Sequence, residues 1–131
     1  MAYTAGKLPL PGYPMQIGTK NLYVFDHAGP SSYTQFATPA TGGDVLIAQK
    51  GGLNFGGFDW MSSGVIDDSG QIIAYVFPVN GGYGNAVPSV NVVYYSLVTA
   101  TLGGQAQTAG TQVVATTNLS TFSWRFAAIG I

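Results

Sequence analysis

The sequence predicts a single all-β domain, an antiparallel β-sandwich of the jelly-roll or immunoglobulin-like kind or a small barrel. No segment carries apolar residues at the three- and four-residue spacing of a helix for three turns. The 19 Gly and 7 Pro residues interrupt the chain often and separate seven to nine short stretches of strand character. A chain of 131 residues has room for one core, so we expect one domain.

The proline pattern divides the chain into two parts. We expect residues 1–18 to form an extended N-terminal arm, because Pro9, Pro11 and Pro14 favour polyproline-like backbone over helix or central strand. Residues 19–131 then form the sandwich domain. The arm either lies on its own domain or reaches a neighbouring subunit, and the sequence leaves both possibilities open.

Strand signals recur through the rest of the chain. Gly51–Trp60 mixes glycines with large aromatic side chains and is either a glycine-interrupted strand or a loop. The other predicted strands cover residues 22–25, 33–38, 44–49, 63–66, 71–79, 89–102, 111–116 and 121–126. A polar turn is expected between Gly103 and Gly110.

The clearest local feature is a hairpin around Asp67-Asp68-Ser69-Gly70. Asp and Ser side chains bond their own backbone in turns, and Gly70 tolerates the positive φ that tight turns need. The strand that follows, Ile72–Phe77, is apolar in both parities, which is typical of a strand covered on both faces.

The last predicted strand shows the cleanest alternation. Phe122, Trp124 and Phe126 point to one side, and the polar residues between them point to the other. Alternation with a period of two residues therefore places these three aromatic rings in a core or an interface.

Charge is the unusual property of this chain. Only 7% of the residues are charged, against roughly 25% in ordinary soluble domains, and the formal net charge is −1. Mutual repulsion does not keep such a particle monomeric. We therefore expect assembly with other protein subunits. The alternative is a secreted or acid-adapted monomer that stays soluble through hydroxyl and amide groups.

Several function classes lack the residues that they need. Four scattered cations cannot neutralise a row of phosphates, so nucleic acid is not an expected partner. No apolar run approaches the 18 residues of a membrane span, and the N-terminus has no apolar core of a secretory signal. Cysteine is absent, which removes disulfides and thiolate metal sites, and we expect no metal and no cofactor.

The chain has few side chains that could act in catalysis, and we expect no enzymatic activity and no catalytic residues. The single histidine, His27, is interpreted as a surface residue at a strand end, because Asp26 beside it points to the opposite face and cannot orient it. Asp59 beside Trp60 offers one way to hold a sugar, but burial of Trp60 in the core is the favoured interpretation.

The number of aromatic residues indicates that some of them lie in contact surfaces. The 8 Tyr, 7 Phe and 2 Trp residues are more than one small core needs. Tyrosines in Gly- and Pro-rich stretches can project outward, and the same rings can stack on sugars. The candidate interface residues are Leu8, Leu10, Tyr13, Met15, Phe55, Phe58, Trp60 and Tyr83.

The chain resembles a known class of proteins in four respects. It is small, it lacks cysteine, its β pattern is rich in Gly and Thr, and it has an extended N-terminal arm. At the level of class, it resembles the decoration or cement proteins of tailed bacteriophage capsids, and no individual residue carries over. The resemblance implies a non-enzymatic virion protein that joins capsid subunits. Its partners would be a major capsid or other virion protein and further copies of itself, as trimers or dimers.

The alternative hypothesis is a recognition module, such as a phage tail or fibre tip domain or a small lectin. It would bind glycans through the Gly- and aromatic-rich loops at residues 51–60 and 80–85.

Overall fold

A computed structural model describes residues 9–37, 41–48, 56–79, 82–83 and 87–131. These residues contain ten β-strands and no helix. The strands are β1 (Met15–Ile17), β2 (Lys20–Ala28), β3 (Asp44–Ile47), β4 (Phe58–Met61), β5 (Val65–Ile66), β6 (Ile72–Pro78), β7 (Ser89–Ser96), β8 (Ala100–Leu102), β9 (Gln105–Gln107) and β10 (Ser123–Gly130).

The strands form two four-stranded sheets and a small hairpin. The first sheet has the order β1-β2-β10-β4, the second has the order β3-β7-β6-β5, and β8 pairs only with β9. Every strand pair is antiparallel. The predicted all-β sandwich is therefore confirmed.

Pairing between β2 and β10 fixes the orientation of the first sheet. Eight consecutive residues are in register, from Ser123 opposite Ala28 to Gly130 opposite Asn21. Because side chains alternate along a strand, this register sends Trp124 and Phe126 inward, and both are fully buried. The alternation read from the sequence is confirmed for these two rings.

The core lies between the inward faces of the two sheets. Trp124 from the first sheet packs against Tyr94 from the second, with ring centroids 4.4 Å apart. The indole Nε1 of Trp124 donates a hydrogen bond to the carbonyl of Ile72 at 3.1 Å, so the buried indole N–H has a partner. These contacts tie the two layers together at the centre of the sandwich.

The predicted hairpin after β5 is present, and Asp67 organises its turn. The buried carboxylate of Asp67 accepts backbone hydrogen bonds from Gln71 and Ile72 at 2.8 Å and from Ser69 at 3.0 Å. Gly70 takes a φ of +77°. The turn chemistry predicted from the sequence is thus confirmed.

The single strand predicted over residues 89–102 is wrong in its length. β7 ends at Ser96, whose Oγ donates to the carbonyl of Val98 at 2.6 Å and bends the chain. The chain then resumes as β8 and turns at Gly103-Gly104 into β9, inside the segment predicted as a polar turn. A local side-chain hydrogen bond therefore competes with the extended pattern.

Two weaker strand predictions are also wrong. Residues 33–37 form no strand, because the amides of Tyr33 and Phe36 bond to the carbonyl of Thr117 and the side chain of Gln112. Residues 111–116 make a single bridge, between Gln112 and Tyr95.

The N-terminal segment lies against the first sheet from residue 9 onward. β1 pairs with β2, and further upstream the amide of Leu10 donates to the carbonyl of Val24 at 2.8 Å. Pro9 forms a bridge with Phe25. Residues 9–17 thus extend the edge of their own sheet, and residues 1–8 lie outside the described residues.

Gly43, just before β3, is a position where only glycine fits. Its φ is +74°, and a Cβ there would come within 1.9 Å of the Asn91 Oδ1 atom. Asn91 is itself fully buried and donates from Nδ2 to the carbonyl of Gly42 at 2.7 Å, so it has no room to move.

We expect the Gly43→Ala substitution to lower the free energy of unfolding by about 3 kcal/mol, since overpacking adds to backbone strain. Gly70→Ala is the matched control, because its φ is +77° and nothing lies within 4 Å of its added Cβ. The control should lose only about 1 to 2 kcal/mol, the strain of the left-handed backbone. Denaturant unfolding measures both values, and equal losses would contradict the tight contact.

Candidate functional site

The outward side of the second sheet is a largely apolar surface, which we call the second-sheet face. Its side chains on β3, β5 and β6 are exposed or half-buried, whereas Asn91 and Val93 on β7 are buried. It consists of the outward-pointing residues of four strands: Val45 and Ile47 on β3, Ile66 on β5, Ile73, Tyr75 and Phe77 on β6, and Ser89, Asn91, Val93 and Tyr95 on β7. None of these residues is charged. A sheet face of this composition is typical of a surface that packs against another protein layer.

Several of these side chains are exposed to a degree unusual for large apolar groups. Val45 is 48% exposed, Ile66 45% and Tyr75 37%. On the inward side of the same strands, Leu46, Ala74 and Val92 are buried. The double apolar pattern of Ile72–Phe77, read above as a strand covered on both faces, therefore has one face in the core and one face open.

A groove runs along the outward side of β6 on the second-sheet face. It has a volume of about 460 Å³ and is lined by Ile73, Tyr75, Phe77, Tyr95, Ser96, Leu97 and Gly110. The rings of Tyr75 and Tyr95 meet edge to face in it, with centroids 5.6 Å apart. Phe36 stacks on Phe77, with ring centroids 5.2 Å apart, and covers that part of the face.

The outward side of the first sheet, the first-sheet face, is mixed in character. Its apolar residues include Met15, Ile17, Leu22, Trp60, Ile129 and Ile131. Beside them, the Lys20 Nζ lies 2.5 Å from the Asp59 Oδ2. The Arg125 Nε and Nη2 atoms bond the two carboxylate oxygens of the buried Asp26 at 2.8 and 3.1 Å. This face therefore presents both apolar side chains and paired charges.

The structure spreads the predicted interface residues over different environments. Met15 and Trp60 are exposed on the first-sheet face, whereas Phe58 is fully buried in the core. The remaining candidates are Leu10 and Tyr13, which are half-buried, Tyr83, which is half-buried against the core, and Leu8 and Phe55, which lie outside the described residues.

The favoured interpretation of Trp60 as a core residue is wrong. Trp60 is 45% exposed, because its position opposite Ile129 turns it to the outside of β4 while Phe58 and Met61 point inward. The β4–β10 register shifts between Ile129 and Gly130, an irregularity that the sequence does not show.

Sequence reasoning missed the second-sheet face as a site. Val45, Ile66, Tyr75 and Phe77 sit in strands with ordinary β composition, and their signal was the apolar character of both parities. That pattern predicts two covered faces but does not say whether this chain or another protein covers the second one. The open face follows only from the strand order.

His27 lies in the core, so its interpretation as a surface residue is wrong. It is 1% exposed, and its Nε2 lies 2.6 Å from the Asp44 Oδ2, which also accepts a 2.6 Å hydrogen bond from the Tyr94 hydroxyl. Asp26 points to the other side of β2, where Arg125 binds it, as the alternation predicts.

This polar cluster joins three strands across the sandwich. His27 comes from the first sheet, and Asp44 and Tyr94 come from the second. The groove of the second-sheet face is lined by none of the three. The arrangement fixes the two layers relative to each other, because a carboxylate that is only 12% exposed is costly to leave without its hydrogen bonds.

The described residues contain no group of three or more His, Cys, Asp or Glu side chains placed to hold a metal ion. No helix in them has the length and apolar character needed to cross a membrane.

Comparisons with protein-family models, with curated proteins and with solved structures give no match for this chain.

Burial raises the pKa of three tyrosines: that of Tyr33 to about 12, that of Tyr94 well above its usual value, and that of Tyr83. Each of these phenols has a higher pKa in the folded than in the unfolded state, so its protonated form stabilises the fold below about pH 10. That stabilisation is lost as the pH rises through the pKa of the folded state. Titration of these groups therefore opposes folding only under alkaline conditions.

We expect the free energy of unfolding to fall above about pH 10, by up to about 1.4 kcal/mol per pH unit for each proton that the fold retains. The Tyr33→Phe variant should show a shallower fall, because one retained proton is gone. Denaturant unfolding at several alkaline pH values measures this. If the free energy of unfolding of Tyr33→Phe fell with pH as steeply as that of the unmodified protein, the raised pKa of Tyr33 would be contradicted.

Proposed function

We propose that this chain is a non-enzymatic structural protein of a viral particle, one that decorates or cements a phage capsid through subunit contacts. In this proposal it is made in the host cytoplasm and acts in the virion. The observation that carries the proposal is the second-sheet face, an uncharged surface on which the described part of the chain leaves large apolar side chains of β3, β5 and β6 exposed.

The energetics favour a protein partner for that face. Removing apolar surface from water contributes roughly 25 cal/mol per Å², and monomeric proteins seldom expose contiguous apolar patches above a few hundred Å². A capsid surface offers many identical binding positions. Binding only to the assembled shell would stabilise that shell by mass action.

The geometry also suits a connecting role. The two outward faces lie on opposite sides of the sandwich, so one molecule can contact two neighbours at once. The first-sheet face carries exposed Met15, Ile17 and Trp60 beside its ion pairs, and such a mixture of apolar centre and charged groups resembles a non-obligate protein interface. A cement protein needs two contacts of this kind.

We expect the protein to be a stoichiometric component of purified particles of the virus that encodes it. Quantitative mass spectrometry against a labelled standard should give tens to hundreds of copies per particle, in a fixed ratio to the major capsid protein. Particles without the chain, or a ratio that varies between preparations, would contradict a structural role. A few copies per particle would instead favour the tail-tip alternative.

A second candidate function, glycan recognition, has one observation in its favour. The Trp60 ring is 45% exposed and lies beside Asp59, and an exposed aromatic next to an acid can hold a sugar. Against it, Asp59 already bonds Lys20. Most of the loops at 51–60 and 80–85 lie outside the described residues.

Glycan-array binding separates the two functions. Under the structural proposal, the purified chain and its Trp60→Ala variant should both give no signal above background. Binding by the unmodified chain that Trp60→Ala removes, but Met15→Ala on the same face retains, would favour the recognition module.

A further inference from the structure

We propose that the outer edge of β3 is a docking site for an extended segment of a neighbouring virion protein, which adds to the second sheet as a further β-strand. This inference deepens the proposed function and rests on it, because it names the kind of contact through which the chain joins the particle. The partner is identified by its chemistry: an extended, predominantly apolar stretch whose backbone N–H and C=O groups pair with those of Val45 and Ile47.

The hydrogen bonds to β7 show which way the backbone of β3 points. In an antiparallel pair, alternate residues exchange backbone hydrogen bonds with the residue opposite. The amide of Ala48 donates to the carbonyl of Pro88 at 2.9 Å, which assigns the even-numbered residues of β3 to the bonds with β7. The backbone N–H and C=O groups of Val45 and Ile47 therefore point away from β7, along the outer edge of the sheet.

These four groups have no partner among the residues that the structure describes. β3 is the last strand in the order β3-β7-β6-β5, and no described backbone or side-chain group bonds the outward N–H or C=O groups of Val45 and Ile47. The side chains of the two residues are 48% and 41% exposed. A row of unpaired backbone donors and acceptors is a template for another strand, which supplies a hydrogen bond to each of them.

The other outer strands of the two main sheets are shorter or already paired. On β4, Phe58 exchanges two backbone hydrogen bonds with Val87, at 2.7 and 2.9 Å. β5 has two residues, and β1 has three and follows Pro14, which has no N–H to donate. Proteins commonly protect an edge strand with a lysine, a proline or a bulge. β3 has none of these, and the carboxylate of its one charged residue, Asp44, bonds His27.

The side chains of β3 define the composition of the incoming segment. On the outward side the segment lies beside Val45 and Ile47, and on the inward side it lies beside Leu46 and Ala48, which are buried. Cross-strand neighbours of this kind favour apolar and β-branched side chains. A charged side chain in the segment would lose water there without gaining a counter-ion.

Binding to shells tests the proposal, with shells taken from particles of the virus that encodes the chain and freed of it. Ile47→Pro removes one outward N–H and leaves the bonds to β7 in place, since proline is accepted on an edge whose N–H faces solvent. We expect it to weaken binding at least about tenfold, because a hydrogen bond is lost and the ring obstructs the approach. Ile47→Thr keeps the amide and the branched Cβ, so as the matched control it should bind within about threefold of the unmodified chain. Circular dichroism monitors folding.

Amide hydrogen exchange of the unmodified chain needs no variant, and it decides the question if Ile47→Pro does not fold. The amides of Val45 and Ile47 should exchange rapidly in the free chain and become protected on the shell. The amide of Leu46, which bonds β7, should be protected in both states.

Three results would overturn the proposal: equal binding by a folded Ile47→Pro, an equal loss with Ile47→Thr, or no gain of protection at Val45 and Ile47 on the shell. Each of them leaves the proposed function standing as long as the unmodified chain binds. An unmodified chain that does not bind shells contradicts the proposed function as well.

Discussion

Each sheet of this sandwich has two faces, and one chain of 131 residues supplies a core for only one face of each. The inward faces meet around Trp124 and Tyr94, and the outward faces depend on what surrounds the molecule. In most antiparallel sheets the outward face is polar. Here the second sheet carries apolar side chains on both sides, and with 7% charged residues the chain has few ions to place there. Because the inward and outward faces of the second sheet are both apolar, the outward face favours contact with another protein, and the proposed function follows from this constraint.

The polar groups of the interior have a different role. His27 Nε2 and the Tyr94 hydroxyl both bond the Asp44 carboxylate across the two layers, and Asp67 closes the turn before β6. Such groups contribute specificity of register and geometry, because each is costly to bury alone. The few titratable residues with described contacts thus hold the fold together, and the outward side of the second sheet is left to apolar contact.

The fold class and several elements could be predicted from the sequence. The alternation around Trp124 and the turn chemistry of Asp67 and Gly70 are local signals, and the structure confirms both. The end of β7 depends on a Ser96 hydrogen bond, and the environment of His27 depends on Asp44 from another sheet. Neither has a local signature. Trp60 is exposed because of the β4 register, and Tyr75 is open because of the strand order, so the candidate site required the structure.

Oxidative footprinting of Tyr75 and Phe77 in solution shows directly whether another protein covers the second-sheet face. We expect both side chains to be protected at concentrations where the chain is assembled and to become reactive on dilution, while buried Trp124 stays protected throughout. Reactivity of Tyr75 and Phe77 that is high and independent of concentration, both for the free chain and in its particle, would contradict it. The second-sheet face would then be a surface in contact with water.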